Sequence, residues 1–182
     1  MKKLPVTTLL FVLACALGAT ETRIERVNAT TPAEDAKPNS YSVPDVYAVT
    51  GKFERIVVLR FKFQADLLAG LELMVKEQHI KNAVILSAAG SVRSYHYHVV
   101  SNRTFPSKNM FVQNPEGAAD LVGMSGYVMD GRLHPHISLA DDTHVFGGHL
   151  EPGTTVFTFA VVTLGVLADD IDFQHLDDKS YR

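Results

Sequence analysis

The chain has 182 residues, 46% of them hydrophobic and 20% charged, with one Cys and no Trp. That length supports one domain with its own core, and a single Cys excludes an intrachain disulfide framework and any Cys-rich zinc module. Lys and Arg number 17 against 20 acids, a net charge of −3, so the basic footprint of a dedicated nucleic-acid binder is missing. The composition is also too apolar for a disordered chain and too interrupted for a membrane bundle.

In chain order, Met1-Lys2-Lys3 is a short positive start, and Leu4 to Leu17 is apolar apart from Thr7 and Thr8. Residues 1–19 therefore read as a secretory signal, too short to cross a bilayer as a helix and followed by polar sequence. Ala14-Cys15-Ala16 and Leu17-Gly18-Ala19 both offer small-residue cleavage sites, and Val12-Leu13-Ala14-Cys15 resembles a bacterial lipobox with Cys15 as the lipidated residue. Either cleavage predicts an extracytoplasmic protein, periplasmic or secreted, touching a membrane only through the signal or a lipid anchor at Cys15. It removes Lys2 and Lys3 and no acid, so the net charge goes from −3 to −5.

Residues 20–45 are polar, with Pro32, Pro38 and Asn39, and read as a flexible tether. A domain over residues 46–168 follows, then a polar tail over residues 169–182. Tyr47, Val49, Ile56 to Leu59, Phe61 and Phe63 have strand chemistry. Asp66 is placed to cap a helix, whose apolar positions Leu67, Leu68, Leu71, Met74, Val75 and Ile80 follow a 3.6-residue period. Ala83 to Ser87 is a buried strand, and Val92 to Val100 alternates, with Tyr95 and Tyr97 on one face and His96 and His98 on the other. Residues 101–117 read as loop. Strands are expected at Ala119–Met129, Leu133–Ala140, His144–Leu150 and Thr155–Leu167. One principal helix among sequential strands predicts a compact α+β domain on a mostly antiparallel sheet.

Six of the eight histidines lie between His96 and His149. In His134-Pro135-His136 the two imidazoles share one strand face, and Pro135 cannot donate to a ladder, which places it at an edge or an irregularity. If Asp142-Thr143 is a two-residue hairpin turn, His136 lies opposite His149 and His134 opposite Glu151. Directly opposed residues have Cβ atoms about 4.5–5.5 Å apart on the same face. His134, His136 and His149 would then converge as ligands for Zn2+ or another divalent transition metal, with Glu151 as general base or as a partner that orients a ligand. His144 falls on the other face. His96 and His98 form a second same-face pair for which no third ligand is legible, so a surface or subunit contact is expected there. Gly147-Gly148 reads as a bulge or a close backbone approach, since no helix start follows to make an anion loop.

At these residues the chain resembles the plants-and-prokaryotes conserved (PPC) domain. The resemblance runs from about Tyr47 to Leu167 and rests on His134-Pro135-His136-Ile137-Ser138-Leu139-Ala140-Asp141 and Gly147-Gly148-His149-Leu150, supported by the helix and by the strand ending in Gly90-Ser91. It implies an α+β subunit, commonly a homotrimer, with a histidine-bound metal in stand-alone members, falling here on His134, His136 and His149. In plants the domain is fused to AT-hook DNA-binding segments. No Arg-Gly-Arg-Pro motif occurs here, and Gly117-Ala118-Ala119-Asp120-Leu121 stands where the plant Gly-Arg-Phe-Glu-Ile stretch would be. The function expected is therefore that of an exported metal-binding domain, with a small-molecule metalloenzyme within its chemistry. The alternative is a DNA-binding or regulatory protein.

Overall fold

A computed structural model of the protein describes residues 22–27, 40–178 and 181. The expected signal segment, with Cys15, lies outside them. Among the described residues the elements are β1 (Arg23–Val27), β2 (Phe53–Phe61), α1 (Leu67–Glu77), β3 (Asn82–Val100), β4 (Asn109–Asn114), β5 (Ala119–Met129), β6 (Arg132–Ala140), β7 (Val145–Leu150) and β8 (Thr155–Leu167). Every strand pairing is antiparallel. With one 11-residue helix, the domain is nearly all β, more so than the α+β class expected from the sequence.

The organising element is β3, 19 residues long. Two separate strands were legible there, because Ala88-Ala89-Gly90-Ser91 lacks the bulky residues that mark a strand. The structure runs straight through that stretch, where small side chains let neighbouring backbones approach. One edge of β3 pairs with β8 and then β7, the other with β5 and then β4. Register shifts between Ile85 and Ser87, Gly90 and Val92, and Val92 and Ser94 accompany the β8 pairing; such bulges bend a strand and increase its twist. β5 continues to β6, β6 to β7, and β7 returns to β3, so these four strands close into a ring.

Alternation then sets the core. Val156, Ala160, Val162, Leu164 and Val166 of β8 are buried, as are Pro135, Ile137 and Leu139 of β6. The apolar stripe of α1, Leu67, Leu68, Leu71 and Val75, joins the same core. Asp66 caps the helix as its sequence position suggests, accepting from the Ala69 amide at 2.9 Å. Its second carboxylate oxygen accepts from the Gly153 amide at 2.7 Å, tying the helix start to the β7–β8 connection.

Three segments differ from their sequence reading. Tyr47, Val49 and Phe63, given strand chemistry there, lie outside β2, which runs from Phe53 to Phe61. Arg23–Val27, within the stretch read as a tether, pairs with β4 from Arg23 opposite Gln113 to Val27 opposite Asn109. β4 itself lies inside the stretch read as loop; Asn109-Met110-Phe111-Val112 is short, and its partners lie far away in sequence.

β7 is confined between two backbones. A Cβ on Gly147 would stand 2.0 Å from the Ile137 carbonyl oxygen of β6, and one on Gly148 would stand 2.3 Å from the His98 carbonyl oxygen of β3. Of the readings left open for this pair, close backbone approach is the one realised. Gly148→Ala is expected to cost about 1–3 kcal/mol through forced separation of β3 and β7. Urea unfolding with an unchanged m-value measures it, and an unmoved midpoint would mean the two strands part freely.

Candidate metal centre

The β6–β7 hairpin turns through Asp142 and Thr143, closed by the Asp141 amide donating to the His144 carbonyl at 3.0 Å. Asp141 Oδ1 accepts from the Thr143 amide at 2.8 Å and the His144 amide at 2.7 Å, which holds this carboxyl below its usual range. The register runs from Ala140 opposite Val145 to His136 opposite His149. The hairpin arithmetic holds to that point. Pro135 sits just beyond the end of this ladder, facing Gly126 of β5.

Past His149 the chain leaves β6. Leu150 pairs with Tyr97 of β3, and the Glu151 amide donates to the His96 carbonyl at 3.0 Å. Fully buried Thr154 fastens this crossing: its hydroxyl accepts from the His96 amide at 2.9 Å and donates to the His96 carbonyl at 3.0 Å. Glu151 therefore does not face His134, as expected from the sequence, but His98. His98 Nδ1 and Glu151 Oε1 are 2.5 Å apart, an N–H donating to a carboxylate. His98 also lies opposite His149 in the β3–β7 ladder, and their rings stack at 4.6 Å between centroids.

His98, His149 and Glu151 thus form a group whose potential ligand atoms all lie within 4.8 Å of one another. His134 and His136 stand beside it. Their Nε2 atoms are 3.2 Å apart, and their rings meet that of His149 edge-on at 4.9 and 5.4 Å. The three histidines singled out in the sequence gather at one place, and His98, assigned there to a surface contact, joins them. Only a long-range pairing reveals it; no local spacing does. His96 turns aside, its Nδ1 2.8 Å from the Pro152 carbonyl. His144 is exposed at the hairpin tip.

The tail adds a residue that sequence reading missed. Asp177 Oδ1 lies 3.1 Å from His134 Nδ1, which leaves Nε2 of that ring toward His136. Together with His98, His136, His149 and Gly148, these two residues line a cleft of about 470 Å³.

Burial lowers the pKa of His136, helped by neighbouring His134 and His98; burial likewise lowers that of His149, with His98 and His134 adding to it and Glu151 opposing. Folded imidazoles that bind protons less readily than unfolded ones give the native state fewer protons under acid conditions. Their contribution to stability is complete above 6.5, their ordinary value, and is lost as pH falls through the lowered folded values. For metal-free protein the urea midpoint is therefore expected to drop as pH falls below 6.5, and His149→Gln to flatten that drop. An equal slope in the variant would locate the acid sensitivity elsewhere.

Residues 48–168 match the Plants and Prokaryotes Conserved (PCC) domain. A curated relative, the bifunctional protein GlmU of Synechococcus sp. (strain JA-3-3Ab), is 26% identical over 121 residues, which are 66% of this chain and 18% of that protein. The chain thus spans under a fifth of that relative's length. Among solved structures, a plant- and prokaryote-conserved protein of Pyrococcus horikoshii superposes with a TM-score of 0.57 at 22% identity, covering 71% of this chain and 90% of its own. A metal-containing protein of Archaeoglobus fulgidus gives 0.56 at 24% identity, covering 68% and 86%. With the domain match spanning most of the protein and the fold shared, the chain belongs to the Plants and Prokaryotes Conserved domain family.

Proposed function

We propose that this protein holds a divalent transition-metal ion of the zinc type in the histidine cleft and presents it to a small molecule. The observation that carries the reading is the convergence of His98, His149 and Glu151 with His134 and His136 at their side. Imidazole nitrogens and a carboxylate oxygen are donors that zinc accepts. The cluster also has an electrostatic reason to take a cation. With His134 protonated at Nδ1, its Nε2 accepts from His136 Nε2 across 3.2 Å, while protonating both rings would place like charges side by side. A bound cation takes the place of that shared proton.

Two carboxylates prepare the rings. Glu151 accepts from His98 Nδ1 and Asp177 from His134 Nδ1, so each fixes a ring's tautomer and orientation. When bound, such an ion polarises oxygen and acidifies water, the chemistry of metal-assisted hydrolysis or elimination. The fold shared with a metal-containing archaeal protein supports the same reading. DNA binding, the alternative, has against it a net charge of −3 and no AT-hook motif.

Zinc titration of chelator-treated full-length protein, with elemental analysis, is expected to show stoichiometric uptake that His98→Ala and His149→Ala each abolish. Asp177→Asn is expected to weaken affinity by about 10–100-fold without abolishing it. Unchanged uptake in both alanine variants, or a salt-dependent shift of duplex DNA near physiological ionic strength, would overturn this function.

Export through residues 1–19 and assembly as a homotrimer belong to the same proposal. Exposed Ile56 and Val58 of β2 and Phe157 and Phe159 of β8 offer an apolar surface for self-association. N-terminal sequencing of protein from its native host is expected to begin after residue 14 or near residue 19, and sedimentation to give three times the chain mass; an uncleaved monomer would refute both.

A further inference from the structure

A second cleft, of about 910 Å³, opens on the far side of the His134–Asp177 pair and shares both residues with the histidine cleft. Phe53, Tyr127, Leu167, Phe173 and Leu176 give it an apolar lining, and Lys52 is the ammonium group among its described lining residues. Several of these apolar side chains stand open to solvent: Phe53 is 51% exposed, Tyr127 45% and Leu176 41%. Exposed apolar groups gathered in a concavity, with few polar groups at one end, are the usual make-up of a small-molecule site, and the volume lies in the usual range.

The wall of this cleft is held in place. Asn82, 1% exposed, donates to the Ile171 carbonyl at 3.0 Å and accepts from the Asp130 amide at 3.1 Å. Lys81 Nζ donates to the Asp169 carbonyl at 2.7 Å. Residues 169–178 therefore lie across the end of β3 and bring Phe173, Leu176 and Asp177 to the site. They fall outside the matched domain, which ends at residue 168.

We propose that the cleft between Phe53, Tyr127 and the tail binds a small carboxylic acid with an apolar body, the body against Phe173 and Leu176 and the carboxylate toward Lys52 and His134. The mostly apolar lining offers few partners for the hydroxyls of a sugar and favours an apolar body. Asp177 is already engaged by His134, so the ammonium of Lys52 is the charged lining group left to select an anion over an amine. The destination of the carboxylate rests on the metal reading above, since a cation among the histidines draws it there; the apolar body does not depend on it.

The test is calorimetric titration of full-length protein with octanoate, and with acetate as a head without a body, in zinc and after chelation. Octanoate is expected to bind saturably at one site, acetate about tenfold or more weakly, and the double variant Phe173→Ser with Leu176→Ser to lose about tenfold in octanoate affinity. Zinc uptake measured on the same variant is expected to be unchanged, which shows an intact histidine cluster. Lys52→Gln should weaken octanoate too. No saturable binding of octanoate to wild type, or equal affinity in the double variant, overturns the proposal. If wild type takes up no zinc, the metal reading falls by itself, and the chelated titration decides this one. Octanoate binding that the double variant loses upholds the cleft, and absence of binding removes it.

Discussion

One strand pairing makes the site: β7 lies against β3, with His98 opposite His149. A hairpin alone would set His136 opposite His149 and leave that face open. Bringing β3 alongside closes the ring of β3, β5, β6 and β7 and adds a fourth imidazole and its carboxylate partner. The closure requires backbones at distances no side chain permits, which is why two glycines precede His149. The Cβ missing from Gly147 makes room for β6, and the one missing from Gly148 makes room for β3. The sequence Gly-Gly-His is thus a packing requirement followed at once by the chemistry it enables.

The same pairing explains why Glu151 serves the cluster from an unexpected direction. Its amide is taken by the His96 carbonyl, and Thr154 occupies both backbone groups of His96. With the backbone of His96 consumed in fastening the crossing, and its ring turned to Pro152, the next outward residue on β3, His98, meets the carboxylate. A strand that alternates Tyr95, His96, Tyr97 and His98 uses one face for the core and the other for two different tasks. Tyr95 and Tyr97 pack with Phe146 on the inside, which fixes the height at which the two histidines stand outside.

What the sequence made legible follows the range of the interactions involved. Asp66 as a helix cap, the strands from β5 to β8 and the turn at Asp142-Thr143 depend on neighbours a few residues away, and they stand where spacing puts them. The register from Ala140–Val145 to His136–His149 is fixed by that turn, so it too was calculable. Glu151 fell outside the calculation because its partner strand changes from β6 to β3 one residue earlier. His98 was invisible as a site residue for the same reason: its partner lies 51 positions on, in a ladder of only two residue pairs. β1 and Asp177 belong to segments whose polar composition resembles that of linkers. They are ordered by contacts with distant strands, and composition carries no trace of that.

The division between domain and tail gives the site a physical logic. The cluster of His98, His134, His136, His149 and Glu151 lies wholly inside the matched domain and is built by sheet closure, so it follows from the fold itself. The tail changes two things without touching that geometry. Asp177 sets the proton on Nδ1 of His134 and so leaves Nε2 toward His136, while Phe173 and Leu176 wall the neighbouring cleft. A carboxylate delivered by a surface segment is easier to alter than one whose backbone is tied to the sheet, as that of Glu151 is to His96, because replacing it leaves the backbone ladder intact. The polar and apolar groups that border the cleft can therefore vary in such a segment while the histidine frame stays under the constraint of strand closure.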